Sequence, residues 1–351
     1  MAVVVALSGC GGDDDDDSAS SSDTSAGDTA TPAASTEPVT LRLGYFPNVT
    51  HSPAVVGVEH GDFEDALGDN VTLELSTFNA GPAAVEALFG GALDATFIGP
   101  NPAINAFAQS NGEAIRIVSG TASGGAYLVT NPEITSPEDL AGKTLATPQL
   151  GNTQDVALRA WLKDEGYTTD TAGGGDVKVI PQENAQTLDT FKAGQIDGAW
   201  VPEPWATRLI NEGGGQILLD ERDLWPDGEY VTTHLIVKTE FLDEHPDVVK
   251  QLIEGLAASI DFIGESREEA EALVATGIEK ASGKPIAPEL VTASFDNITF
   301  TLDPIASSLA TSAENAEAEG LLDPVDLDGI YDLTLLNEVL ADRGEPEVSD
   351  T

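Results

Sequence analysis

The sequence predicts an α/β protein built as two lobes joined by two crossing strands. Three observations carry that prediction. Strand-like and helix-like segments alternate from Val39 to Val201, the order of βαβ units on a mainly parallel sheet. One unit occurs twice: Gly91-Ala92-Leu93-Asp94-Ala95-Thr96-Phe97-Ile98 aligns with Gly194-Gln195-Ile196-Asp197-Gly198-Ala199-Trp200-Val201. Finally, a β-rich segment at Tyr230–Lys238 is followed only by helical stretches, so it returns the chain to a lobe that the second unit had interrupted.

The elements follow in order. Val39–Tyr45 alternates and runs into Pro47-Asn48, a strand ending in a turn. Ser52–His60 is a short helix stopped by Gly61, a residue free to take the left-handed cap conformation. Val71–Phe78 is a strand, Pro82–Gly90 a helix and Leu93–Ile98 a buried strand. The second unit repeats this with strands at Lys143–Thr147, Val177–Ile180 and Ile196–Val201, and helices at Thr153–Glu165 and Ala185–Ala193. Past Lys238, helices are expected at Pro246–Glu265, Arg267–Lys280, Pro288–Asn297, Ile305–Glu319 and Leu333–Asp342. The expected division is lobe 1 at 39–128 and 236–351, and lobe 2 at 129–235.

Composition narrows the function. Sixty-one acidic against 15 basic residues give a formal charge of −46. Nucleic acid is thereby excluded as a partner, because phosphate contacts need Lys and Arg; adsorption to anionic lipid is disfavoured as well. No apolar run approaches the ~20 residues that span a bilayer.

Ala2–Leu7 is a short apolar stretch that ends in Leu7-Ser8-Gly9-Cys10, which resembles the lipobox of bacterial lipoproteins. That resemblance implies lipidation of Cys10. A basic leader is missing and the stretch is short for a signal peptide, so residues 1–10 read as a truncated lipoprotein signal with the start codon upstream. Cys10 is the only cysteine, which rules out an intrachain disulfide. Residues 11–38 are Asp, Ser, Thr, Ala, Gly and Pro without apolar periodicity, a flexible acidic tether.

Further motifs carry a family likeness. They are Leu43-Gly44-Tyr45-Phe46, Ala80-Gly81-Pro82, and Gly91-Ala92-Leu93-Asp94 followed by Ile98-Gly99. Ser136-Pro137-Glu138-Asp139-Leu140-Ala141-Gly142-Lys143, and Ile196-Asp197-Gly198-Ala199-Trp200 followed by Glu203-Pro204, complete the set. Over Val39–Ile263, and more loosely beyond, the chain resembles the solute-binding proteins of bacterial ABC importers for aliphatic sulfonates, nitrate, bicarbonate and taurine. The resemblance implies a type II periplasmic-binding fold that closes around a small molecule. It also implies delivery to a permease and ATPase, no cofactor and no catalysis. With the lipobox, it implies a position on the outer face of the cell membrane, held only by the lipid.

In open α/β lobes ligands bind at the C-terminal ends of strands, where helices begin. Those positions are Tyr45, Phe46, Asn48, Thr50 and His51; Asn79, Ala80 and Gly81; and Gly99, Pro100 and Asn101. In the second lobe they are Gln149, Gly151, Asn152 and Thr153; Glu183 and Asn184; and Trp200, Glu203 and Trp205. Neither Arg nor Lys is among them, and helix N-termini present free N–H groups to an anion. An oxyanion such as a sulfonate or nitrate is therefore expected there, with aromatic rings over any organic tail. Trp200 and Phe97 sit on buried strands and serve either cleft or core. Glu203 fits an anion site poorly: it points to solvent, bonds to a backbone group, or signals a cationic or aromatic heterocyclic ligand.

Catalytic signatures are sparse. His51, His60, His234 and His245 lack the spacing of a helical zinc site, and the triple glycines at Gly173 and Gly213 lack the Lys-Ser/Thr of a phosphate-binding loop. The alternative is a binding protein for a thiamine-precursor pyrimidine, with Glu203 accepting an amine hydrogen bond.

Overall fold

The structure, a computed structural model, describes residues 38–350. The expected signal segment, Cys10 and all but the last residue of the expected tether lie outside those residues. The first half of the chain runs β1 (Val39–Tyr45), α1 (Ser52–His60), α2 (Asp62–Leu67), β2 (Val71–Thr77), α3 (Gly81–Phe89), β3 (Ala95–Ile98), α4 (Pro100–Gln109) and β4 (Ile115–Gly124). Then follow β5 (Ala126–Thr130), β6 (Thr144–Thr147), α5 (Thr153–Asp164), β7 (Lys178–Pro181), α6 (Asn184–Lys192), β8 (Gly198–Pro202), α7 (Trp205–Asn211) and β9 (Gln216–Asp220). The last part holds β10 (Val231–Lys238), α8 (Thr239–Glu244), α9 (Pro246–Glu265), α10 (Arg267–Ser282), α11 (Pro288–Phe295), β11 (Ile298–Phe300), α12 (Ser307–Ala318) and α13 (Thr334–Arg343).

The strands form two sheets, β11-β4-β10-β3-β1-β2 and β7-β6-β8-β5-β9. Leaving β11 aside, the two orders are the same. A central strand pairs in parallel with two others, β1 with β2 and β3, and β6 with β7 and β8. An antiparallel strand then closes each set, β10 on β3 and β5 on β8.

The repeated Asp explains why the motif recurs. Asp94 accepts the Arg42 N–H of β1 at 2.9 Å, and its own N–H returns to the Arg42 carbonyl at 2.8 Å. Asp197 does the same with Thr144 of β6, at 2.8 Å in both directions. A cation flanks each carboxylate, Arg42 at 2.8 Å and Lys143 at 3.6 Å. Each Asp thus pins the start of one strand to its parallel neighbour where the ladder has not yet begun.

The chain crosses between sheets at Gly124-Gly125 and again between β9 and β10. Both glycines have positive φ, 78° and 74°, so two consecutive side chains would be strained there. The expected lobe bounds, 128/129 and 235/236, fall inside β5 and β10. One face of the six-stranded sheet is covered by α1, α2 and the late helices α9, α10, α11 and α13, around Leu41, Leu43, Phe63, Leu252 and Leu336. Its other face carries α3, α4 and α12. The five-stranded sheet is likewise buried on both faces.

Most expected elements stand within a residue or two of their bounds, and α1 and α9 fall on them. Helix α4 was not among the expected elements, although Gly99, Pro100 and Asn101 were placed where a helix begins. Proline in the first helical turn costs nothing, since that N–H has no helical partner, and here the two prolines start a helix behind Gly99. Among the described residues, no helix is long and apolar enough to cross a membrane.

Candidate ligand-binding site

A cavity of about 30 Å³ lies between the C-terminal ends of the two sets of parallel strands. Five helices begin at its wall: α1 behind His51, α3 behind Ala80, α4 behind Gly99, α5 behind Asn152 and α6 at Asn184. Their N-termini, the positive ends of the helix dipoles, meet at one small volume. Phe46, Asn48, Thr50 and Thr232, from the half built on the six-stranded sheet, complete the wall on one side, and Pro148 and Pro202 on the other. No Asp, Glu, Lys or Arg lines it.

His51 is fully buried, and burial pushes its pKa down to about 3, so the imidazole is neutral at physiological pH. Its Nδ1 accepts the Phe46 N–H in a long bond of 3.4 Å, an arrangement that suits the tautomer with its proton on Nε2. The Asn152 side chain caps α5 by accepting the Asp155 N–H at 3.0 Å and donates to Gln154 at 2.9 Å. Buried Asp155 organises this corner. It accepts from Thr147 at the end of β6 (2.7 Å), from the Gly151 N–H (3.0 Å) and from Arg159 one turn along (3.1 Å).

The two halves meet across the cavity. The Trp205 indole donates to Asn48 at 3.0 Å. Asn79, at the end of β2, donates to the Pro148 carbonyl and accepts from the Asn184 N–H, each at 3.4 Å. Gly99 approaches Thr153 so closely that a Cβ would sit 2.2 Å from its hydroxyl. Glycine at this position is required by contact between lobes, not by backbone conformation.

A repeated α/β unit with matched strand order and a cavity between the halves is the architecture of a two-lobed binding protein. The chain belongs to the NMT1-like family, which matches residues 34–278. It is similar to the taurine-binding periplasmic protein of Escherichia coli, 28% identical over 198 residues that make up 56% of this chain and 59% of that protein. The match thus spans less than two thirds of that relative's length. In fold it resembles the alkanesulfonate-binding protein SsuA from Xanthomonas axonopodis bound to MOPS, with a TM-score of 0.68 and 21% identity over 83% of this chain and 96% of that one. It also resembles the nitrate-binding protein NrtA from Synechocystis, with a TM-score of 0.70 and 14% identity over 87% and 89% of the two chains. These likenesses establish the periplasmic-binding fold.

In this NMT1-like chain, Phe46, Asn48, His51, Ala80, Gly81, Gly99, Asn152 and Thr153 all reach the cavity, as do Thr50, Asn79 and Asn184. Nine of the expected positions do not, among them Pro100, which opens α4, and Glu183 and Trp205, which line a neighbouring larger pocket instead. Tyr45 shares a strand face with Leu41 and Leu43 and joins their core. Trp200 is fully buried between β8 and α5, on the opposite face of the sheet from Ala199 and Val201, and its indole donates to Glu221 at 2.7 Å. Asn101 ties α4 to α12 through the Ser312 carbonyl at 2.8 Å. Gln149 and Gly151 belong to the turn that leads into α5 and stand off the wall.

Glu203 is buried away from the cavity. Its carboxylate accepts from the Thr207 N–H and hydroxyl, from Ser294 and from Asn297, at 2.7 to 3.2 Å. Burial raises its pKa, and these four donors oppose the rise. The awkward carboxylate is therefore satisfied by the protein itself, and the pyrimidine alternative loses its anchoring residue. Pro102, Pro148, Gln154, Pro202 and Thr232 were not anticipated on the wall. Pro148 and Pro202 follow from the same strand-end rule, whereas Thr232 arrives on β10, whose return to the first lobe was expected but whose place beside β3 only the sheet order reveals.

Proposed function

We propose that this protein is the extracytoplasmic solute receptor of an ABC importer, capturing a small, weakly hydrated oxyanion of the sulfonate or nitrate class between its lobes. One observation carries the reading: five helix N-termini and a ring of neutral donors surround a small cavity with no charged side chain on its wall. Helix termini and amide, hydroxyl and imidazole donors stabilise a diffuse single charge well. A phosphate dianion would call for Arg or Lys. Carboxylates beyond a screening length of about 8 Å in physiological salt oppose the ligand little; of those beside the wall, Asp155 is paired with Arg159 and Glu203 is held by four donors of its own. The names of the relatives, which include taurine, sulfonate and nitrate binders, support the same class. The receptor role implies a permease and an ATPase as partners.

A thermal-shift panel of methanesulfonate, ethanesulfonate, taurine, nitrate, bicarbonate, sulfate and hydroxymethylpyrimidine tests this reading. A ligand at about a hundred times its Kd stabilises by about 2.7 kcal/mol. A shift with sulfonates or nitrate is expected, unchanged between about pH 6 and pH 9 because His51 stays neutral. A shift with the pyrimidine alone would overturn it.

The tether and Cys10 motif further support anchoring to the outer face of the membrane through a lipid on Cys10. Cys10→Ser, in the full-length gene, is expected to release the protein into the soluble fraction. Retention on membranes would reject the anchor.

A further inference from the structure

A second, larger compartment of about 340 Å³ lies immediately outside the cavity. Its wall is mostly carbon: Pro47, Phe78, Leu188, Trp205, Ile278 and Ile286. The first four belong to the two halves that enclose the cavity, while the two isoleucines come from the end of α10 and the segment that follows it. The charged groups that reach it are balanced, Glu183 and Asp189 against Arg208 and Lys284. Arg208 is already engaged, bonded to Glu212 at 2.6 Å and lying 4.8 Å above the Trp205 ring. This compartment therefore offers apolar surface and little net field.

Asn79 lines both spaces. Its two bonds across the cleft are each 3.4 Å, at the weak limit for a hydrogen bond. By contrast, the neighbouring Asn48–Trp205 bond is a sound 3.0 Å. The partition between polar cavity and apolar compartment is thus weakest at Asn79. The cavity alone has room for little more than an anionic head group, since about 10–15 Å³ already holds one water.

We propose that the outer compartment receives the apolar tail of the ligand whose anionic head occupies the inner cavity, and that Asn79 is the divider such a tail displaces. This rests on the oxyanion reading above and narrows it to organic anions with an aliphatic or aromatic tail. Binding a tail there exchanges two poor hydrogen bonds for buried carbon surface. Each buried methylene is worth roughly fourfold in affinity.

The test is calorimetric titration of the purified protein with nitrate and with methane-, propane- and pentanesulfonate. Affinity is expected to rise about fourfold per methylene. Ala281→Trp, which fills the compartment from the end of α10, is expected to abolish that rise and leave methanesulfonate affinity within about twofold. Ser282→Trp, at the exposed rim of the same compartment, serves if the first variant does not fold. Methanesulfonate binding with a flat or falling series would overturn the tail compartment and leave the oxyanion reading intact. An undiminished rise in a folded tryptophan variant would also overturn it. Failure of nitrate and every sulfonate to bind would remove the oxyanion reading, and the tail compartment with it.

Discussion

Trp200→Ala is expected to lower stability by about 3–5 kcal/mol, the range for removing a large aromatic from a closed core. Trp200 is the largest fully buried side chain, edge-on to Trp161 with ring centroids 6.1 Å apart. Its loss leaves both a cavity and Glu221 without its indole donor. Burial already raises the Glu221 pKa from 4.5 to about 7. An acid whose folded pKa is raised takes up a proton on folding. Its penalty is absent below about pH 4.5, grows as pH rises towards 7 and is constant above that. Without the donor the ionised form is worse placed still, so the variant should be more damaged at about pH 8 than at about pH 5. Urea denaturation at both values measures this. A loss under about 1 kcal/mol, accompanied by lost ligand affinity, would return Trp200 to the cleft.

Asp155→Ala is expected to cost a similar 3–5 kcal/mol, for an electrostatic reason. Asp155 and Arg159 are both buried, and removing one partner leaves the other charge uncompensated. Arg159 keeps a bond to the Asp170 carbonyl at 3.0 Å, but one of its terminal nitrogens has no partner even in the intact protein. Asp155 also holds the end of β6 and the Gly151 turn to the first turn of α5, where Asn152 and Thr153 form the cavity wall. Ligand affinity should therefore fall together with stability, and Asp155→Asn should recover part of both. Denaturation and calorimetry on the two variants decide it. Normal stability in Asp155→Ala would show that the pair contributes nothing net.

Much of the site was legible because the rule behind it is topological. Residues that follow a parallel strand and open a helix must gather at one end of a sheet. Phe46, Asn48, His51, Ala80, Gly81, Gly99, Asn152 and Thr153 obey it. Tyr45 was readable too: it continues the two-residue alternation of Leu41 and Leu43 and belongs with them in the core. Trp200 was not. Both faces of β8 are buried, so the run Gly198–Pro202 is apolar throughout and alternation is silent about which face meets solvent. Glu203 was equally opaque, because two of its four donors, Ser294 and Asn297, lie more than ninety positions away in the sequence.

By itself the sequence determined the alternation of strands and helices, the duplication marked by Asp94 and Asp197, and a cluster of helix starts without fixed charge as the candidate site. All of these are local patterns, set by periodicity, capping and turn chemistry within a few residues. The tertiary structure alone decided where β5 and β10 sit within their sheets, that Thr232 thereby reaches the wall, and that Asn79 stands between a polar cavity and an apolar compartment. Those facts depend on long-range pairing and on contact between surfaces formed by distant segments, for which short-range periodicity carries no signal.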